Sequence, residues 1–279
     1  MKLVDRFFKF CINSNIHVSV AGMSFVLVSM YYYKIGAGFN SSVFVFFSTL
    51  FSYNFIRIFE GAKSYYDLKT LFNRQPGYMP WLLIISLAGL LYLALLIPVL
   101  ELIILIPAGF LTFAYVFPIV KYRKQWVSLR DYPGLKLLSI AMAWAIVTLL
   151  FPLQDYLDKP DVWILFVQRI FLIMALVIPF DIRDLQYDAS YLNTLPQRVG
   201  ITKSIVIGVL FLLVFLFGSF LQTSLGQNHL PADLFVFMIS LGFLIKSKPN
   251  QSKYYASFWV ESVPIFWLLF ILFVENRIN

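Results

Sequence analysis

The sequence predicts an all-α integral-membrane helical bundle, and three observations carry that reading. Of 279 residues, 60% are hydrophobic, 19% aromatic and only 13% charged, whereas a soluble domain has about 45–50% apolar and about 25% charged residues. The mean hydropathy is +0.80. The apolar residues are gathered in runs of about 17–25, the length a helix needs to cross a hydrocarbon core. These runs consume nearly the whole chain, which leaves a single membrane domain over residues 1–279 and no soluble one.

Taken in order between charged breaks, the runs predict nine helices near 12–33, 39–59, 80–98, 101–120, 135–152, 161–180, 203–224, 231–245 and 255–274. The first follows the basic stretch Lys2, Arg6 and Lys9; it is long and has no A-x-A-like cleavage site, so it is expected to be retained. The second ends at a polar segment holding Arg57, Lys63, Lys69 and Arg74. A tight hairpin around Pro98 and Glu101 joins the third and fourth, and the seventh and eighth are joined by the polar stretch from Gln222 to Pro231. The whole divides into two pseudo-repeat halves, roughly 12–120 and 135–245, with 255–274 as a last helix.

With the N-terminus inside, eighteen of the 22 Lys and Arg fall in cytoplasmic segments. Lys34, Lys159 and Arg277 are left outside, and Arg169 lies within a span. The positive-inside bias therefore predicts a cytoplasmic N-terminus, an outer C-terminus and an inner-membrane type of location. The loop after the fifth helix is acidic, with Asp155, Asp158 and Asp161. The net charge of +8 is accounted for by this bias, so no nucleic-acid partner is expected; the partner is membrane lipid. One cysteine, Cys11, and two histidines, His17 and His229, exclude zinc, iron-sulfur, haem and copper clusters. Any metal must be hard and held by oxygen.

The two longest polar segments, about 60–79 and 181–202, face the same cytoplasmic side. The second holds Asp181, Asp184 and Asp188, spaced i, i+3 and i+7. On a helix continuing from the sixth span they fall within an arc of roughly 60°. Like charges so close are relieved in one of two ways. Either a hard divalent cation binds them, Mg²⁺ taking one or two carboxylates and filling its octahedron with water and phosphate oxygens, or the acids form a solvated helix end paired with Arg183 and Arg198.

The pattern D-x-x-D-x-x-x-D from Asp181 to Asp188, followed by Thr194-Leu195-Pro196-Gln197-Arg198-Val199-Gly200, resembles the second aspartate motif of the UbiA superfamily of intramembrane prenyltransferases. The helix number and N-in orientation agree, and Tyr115 to Lys121 with Gly134-Leu135-Lys136 and Ala143-Trp144 is similar to the family's central region. The resemblance implies an enzyme that moves an isoprenyl group from a polyprenyl diphosphate to a lipid-soluble acceptor. It implies Mg²⁺ held by Asp181, Asp184 and Asp188, with Asp184 and Asp188 as the catalytic pair. The family's first motif, N-D-x-x-D-x-x-x-D, is met here by Asn54, but its three aspartate positions are Phe55, Ile58 and Ala62. The downstream R-P pair is met by Arg74-Gln75-Pro76. Asn54, Arg57, Arg74, Lys121 and Arg198 are then the expected diphosphate-binding residues, cations standing in for the lost metal clamp.

Two further charges lie inside spans. Arg169, beside Gln168, is expected to pair with Glu101 or Asp155, and Glu261 with Ser262 lies about two turns into the last helix without an obvious partner. Thirty phenylalanines and sixteen tyrosines suit either an apolar tunnel or a lipid-facing surface. A catalytically inactive relative that binds an isoprenoid or a partner protein is the alternative function. A transporter is a third reading, resting on Arg169 and Glu261 alone.

Overall fold

The computed structural model describes residues 2–36, 39–59, 76–122, 124–132, 134–186, 194–222 and 229–278. Asp188, Arg74 and Ala62, three of the positions singled out in the sequence, lie outside them. The described chain is mostly helical: α1 (Lys2–Asn13), α2 (Ile16–Tyr32), α3 (Phe39–Phe59), α4 (Met79–Ala94), α5 (Val99–Ile103), α6 (Ile106–Val116), α7 (Leu135–Ala145), α8 (Pro160–Asp184), α9 (Leu195–Val199), α10 (Ile201–Leu221), α11 (Leu230–Ile245) and α12 (Val263–Ile278). One wide π-helical turn continues α7 over Ile146–Leu150, and another leads into α12 over Tyr255–Val260.

Five helical stretches are long and apolar enough to cross a bilayer: Phe39–Phe59, Val99–Val116, Pro160–Asp184, Ile201–Leu221 and Tyr255–Val274. The bent pair Arg6–Asn13 and Ile16–Tyr32 makes a sixth when counted as one span. The apolar helices Met79–Ala94, Leu135–Leu150 and Leu230–Ile245 are shorter; at 1.5 Å per residue they reach about 24 Å, under the roughly 30 Å of a hydrocarbon core. Trp81, Leu91, Leu95, Phe110, Phe217 and Met238 are all more than half exposed. An apolar surface of that kind is compatible with lipid and not with water.

Two runs expected to be continuous are broken. The first, expected over 12–33, is interrupted near its start: a helix that ends at Asn13 meets Ile16–Tyr32 at 65°, because Asn15 takes a left-handed conformation (φ 64°) that asparagine tolerates better than most residues. α3 holds the break in place. The buried Asn54 side chain donates to Ser14 O (3.2 Å) and Leu50 O (2.8 Å) and accepts from Asn15 Nδ2 (3.0 Å), while Arg57 Nη1 donates to Asn13 O at 2.5 Å. The fourth run divides at Ile104–Leu105, where Pro107 in the first turn of α6 lacks the amide needed to continue the ladder. A short antiparallel hairpin, β1 (Val120–Tyr122) with β2 (Gln125–Val127), also departs from an all-helical reading. Its turn includes Lys124 at φ 68°, and its Val, Tyr and Trp residues favour strand.

α8 is the central element. It packs most extensively on α10 and also against α7, α11 and the turns flanking α7 and α12. The close approach of α8 to α10 depends on Gly218, where a Cβ would meet Gln168 Cγ at 2.4 Å and Cδ at 2.7 Å. Gly218→Ala is expected to destabilise the detergent-purified protein by about 1–3 kcal/mol, the usual cost of overpacking, read as a fall in melting temperature. An unchanged melting temperature would show that the two helices move apart freely.

Candidate functional site

α8 carries two polar sites about 18 Å apart along its axis, one at Arg169 and one at Asp181. The helix runs through Asp184, four residues past the predicted end of the sixth span, so Asp181 and Asp184 stand one turn apart on one helix. Asp181 is 3% exposed and ion-paired with Lys136 Nζ at 2.7 Å. Asp184 is partly exposed and bound at both oxygens by Arg183, Nε to Oδ1 at 2.7 Å and Nη2 to Oδ2 at 2.8 Å. Arg183 Nη1 reaches Ser257 Oγ on the last span at 3.1 Å. Of the two expected relief mechanisms for the acids, pairing with Arg183 is therefore present at Asp184. Among the described residues no group of three His, Cys, Asp or Glu is gathered as a metal-binding set.

Asp181, Asp184, Arg130 and Lys136 line one cavity of about 260 Å³. Its wall of Tyr53, Tyr115, Ile140 and Trp144 is shared with a groove of about 770 Å³ between α3, α6 and α7. The groove is lined by Phe44, Phe51, Phe55 and Phe113 among others, with Arg57 at its edge. Phe55 and Ile58, two of the positions compared with aspartates in the sequence, are used differently. Phe55 packs with Phe51, Phe59 and Phe117 in the aromatic wall, whereas Ile58 is buried in a small cluster with Met79.

Arg74 lies outside the described residues, and the other four expected diphosphate ligands are not gathered at the polar cavity. Asn54 and Arg57 bind the break between α1 and α2. Lys121 is on the exposed β1 strand, and Arg198 lies exposed on α9 near Gly134; neither lines either cavity. Arg130 and Lys136 occupy the cavity instead. The sequence counted Arg130 only as inside charge and Lys136 as inside charge and part of the central region; the pairing of Lys136 with Asp181, 45 residues away, depends on α7 packing against α8.

Arg169, predicted to pair with Glu101 or Asp155, contacts neither. Its guanidinium donates to Ser29 Oγ and Thr148 Oγ1 (both 3.0 Å) and lies 4.2 Å over the Phe25 ring. The acid of this region is the buried Asp233, which accepts from Tyr32 OH and from Ser219 Oγ (2.7 Å). Trp267 Nε1 donates to Tyr32 OH at 3.2 Å. Arg169 and Asp233 line a void of about 10 Å³, room for roughly one water. Asp233 carried a signal in the sequence as an acid inside the apolar run 231–245.

His229, just before α11, stacks on Tyr32 at 4.0 Å. Burial, and then nearby Lys34, lower its pKa. The fold thus favours the neutral ring, so His229 contributes stability above the unfolded value of about 6.5 that is lost as pH falls through the folded value. The melting temperature is expected to drop between pH 8 and pH 5 and to drop less in His229→Phe; an equal drop in both would remove His229 as a cause.

No protein-family model, no curated protein and no solved structure matches the chain.

Proposed function

We propose that this protein is a UbiA-like intramembrane prenyltransferase that moves an isoprenyl group from a polyprenyl diphosphate to a lipid-soluble acceptor. The observation that supports it best is that two unlike cavities share a wall. A chamber with three carboxylates and two cations shares a wall of Tyr53, Tyr115, Ile140 and Trp144 with a large aromatic groove. A molecule with a charged head and a long apolar tail matches that combination. In this reading all nine helices cross the membrane, with the N-terminus and the polar chamber cytoplasmic.

The donor set suits Mg²⁺: Asp181 and Asp184 offer hard oxygens one turn apart on a chamber wall, and Mg²⁺ takes one or two carboxylates together with water and phosphate. Asp184, the more exposed, would hold the ion with Asp188, and Asp181 would support it. Bound there, the ion would neutralise charge on the departing diphosphate. Lys136 and Arg130 serve the same end as cations on the chamber wall, and the Asp181 pair fixes the Lys136 ammonium at 2.7 Å. Tyr53, Tyr115 and Trp144 present rings where an allylic cation would form and keep water away from it.

One observation favours the second reading, an inactive relative that binds an isoprenoid: Arg183 already grips both oxygens of Asp184. The two readings separate on pyrophosphate release. Incubated with Mg²⁺, geranylgeranyl diphosphate and a membrane-lipid extract, a transferase releases pyrophosphate that depends on Asp184, while a binder retains the diphosphate intact. The groove itself can be tested through Gly109, which lines it with open space around its Cβ position. Gly109→Trp is expected to weaken binding of geranylgeranyl diphosphate by about tenfold and that of dimethylallyl diphosphate little. Equal effects on both would place the tail elsewhere.

A further inference from the structure

α1 meets α2 at 65°, so with α2 taken along the bilayer normal α1 runs nearer the plane of the membrane than its normal. The sides of α1 differ. Phe8 faces the protein, its ring 5.4 Å from that of Tyr254 and 4.7 Å from that of Phe258, and its neighbours around the helix, Cys11 and Ile12, are half-buried. Arg6, Phe7, Lys9 and Phe10 are exposed, Phe7 to 68%. At about 100° per residue these four follow one another around the helix as Lys9, Arg6, Phe10 and Phe7, within an arc of roughly 160°. The exposed face is thus divided along its length, basic on one edge and aromatic on the other. Phe10 extends the aromatic edge to Tyr78, just before α4, with ring centroids 5.2 Å apart. Lys253 is exposed, with its Nζ 4.9 Å over the Tyr254 ring, and places a third cation where Phe8 docks. Over all of α1 the sequence sets Lys2, Arg6 and Lys9 against Asp5 alone.

We infer that α1 is an interfacial helix which, together with Lys253, binds the head group of an anionic glycerophospholipid. A helix divided in this way settles with its rings at the acyl boundary and its cations at the level of the phosphates, and the long stems of Arg6 and Lys9 let their charged ends reach that level. Charge selects the head group. The cations attract a phosphate whose charge is uncompensated, whereas a zwitterionic head group brings an ammonium that they repel. The aromatic edge selects a lipid over a free phosphate, because Phe7 and Phe10 gain only when acyl chains cover them. With the N-terminus cytoplasmic, the lipid is one of the inner leaflet, where anionic lipids concentrate. The inference rests on the membrane reading alone and does not depend on what occupies the two cavities.

The test uses the full chain in nanodiscs of phosphatidylcholine, labelled with bimane at Cys11, which is the one cysteine and stands next to Phe7 around the helix. An equal minor share of either phosphatidylglycerol or phosphatidylcholine, brominated near the carbonyl end of its acyl chains, serves as quencher. Both lipids are expected to quench wild type, with phosphatidylglycerol at least about threefold more effective because it is enriched at α1. In the triple variant Arg6→Gln/Lys9→Gln/Lys253→Gln that preference is expected to vanish while quenching by phosphatidylcholine stays unchanged, which also reports that α1 is still docked at the interface. Equal quenching of wild type by the two lipids overturns the selection of an anionic head group, and a preference that survives in the triple variant overturns its assignment to these cations. Quenching of wild type by neither lipid overturns the interfacial placement and leaves the face to a protein partner or a second copy of this chain. Loss of quenching by both lipids in the triple variant overturns the inference as well, since the cations would then hold the helix in place and not select a lipid.

Discussion

Arg169→Met is expected to destabilise the protein by about 3–5 kcal/mol, the cost of removing one partner from a buried charge network. The side chain is 3% exposed and is held by Ser29, Thr148 and the Phe25 ring, with Asp233 across the small void. Without the guanidinium, the Asp233 carboxylate keeps its hydrogen bonds from Tyr32 and Ser219 but loses its buried countercharge. Asp233→Leu is expected to cost a similar amount for the reciprocal reason. The double variant Arg169→Met/Asp233→Leu should be more stable than the sum of the two losses requires, because it leaves neither charge uncompensated. Reversible unfolding in mixed micelles gives the four stabilities. Strict additivity would show that the two charges act independently, and the network would then be two separate sets of hydrogen bonds.

The second large effect falls on the proposed donor site. Asp184→Ala is expected to weaken Mg²⁺-dependent binding of geranylgeranyl diphosphate by about 100-fold while leaving the melting temperature nearly unchanged. Its carboxylate is partly exposed, and Arg183, its partner, keeps Ser257 as a second anchor. Asp181→Asn is expected to weaken binding and stability together, since it takes the charge partner from Lys136 inside the chamber. Titration calorimetry with and without Mg²⁺ reads both variants. Equal binding by Asp184→Ala and wild type would place the diphosphate away from this motif.

Much of the fold was legible because the bilayer fixes helix length, and apolar runs between charges report it directly. The α3 bounds agree with the run 39–59, and α11 begins one residue before its predicted start. What the runs do not encode is a break held by tertiary contacts. The bend at Asn15 depends on Asn54 reaching Ser14 and Asn15 from another helix, and a hydropathy pattern does not register such a hydrogen bond. The same reasoning applies to the site. That Asp181 and Asp184 share a helix follows from their i, i+3 spacing, which is local. That Asp181 faces Lys136, and Arg169 the region of Asp233 rather than Glu101 or Asp155, depends on which helices pack together. That Phe55 and Ile58 are apolar was visible in the sequence; that Phe55 builds the wall of an apolar groove required the positions of Phe51, Phe59 and Phe117.

The central claim is that one amphipathic molecule occupies both cavities. A structure determined with Mg²⁺ and farnesyl thiodiphosphate tests it most directly. The account predicts the diphosphate beside Asp184 and Lys136, with the chain passing Tyr53 and Tyr115 into the groove toward Phe55 and Phe113. An empty chamber at saturating ligand, or a head group resting elsewhere on the protein, would contradict it.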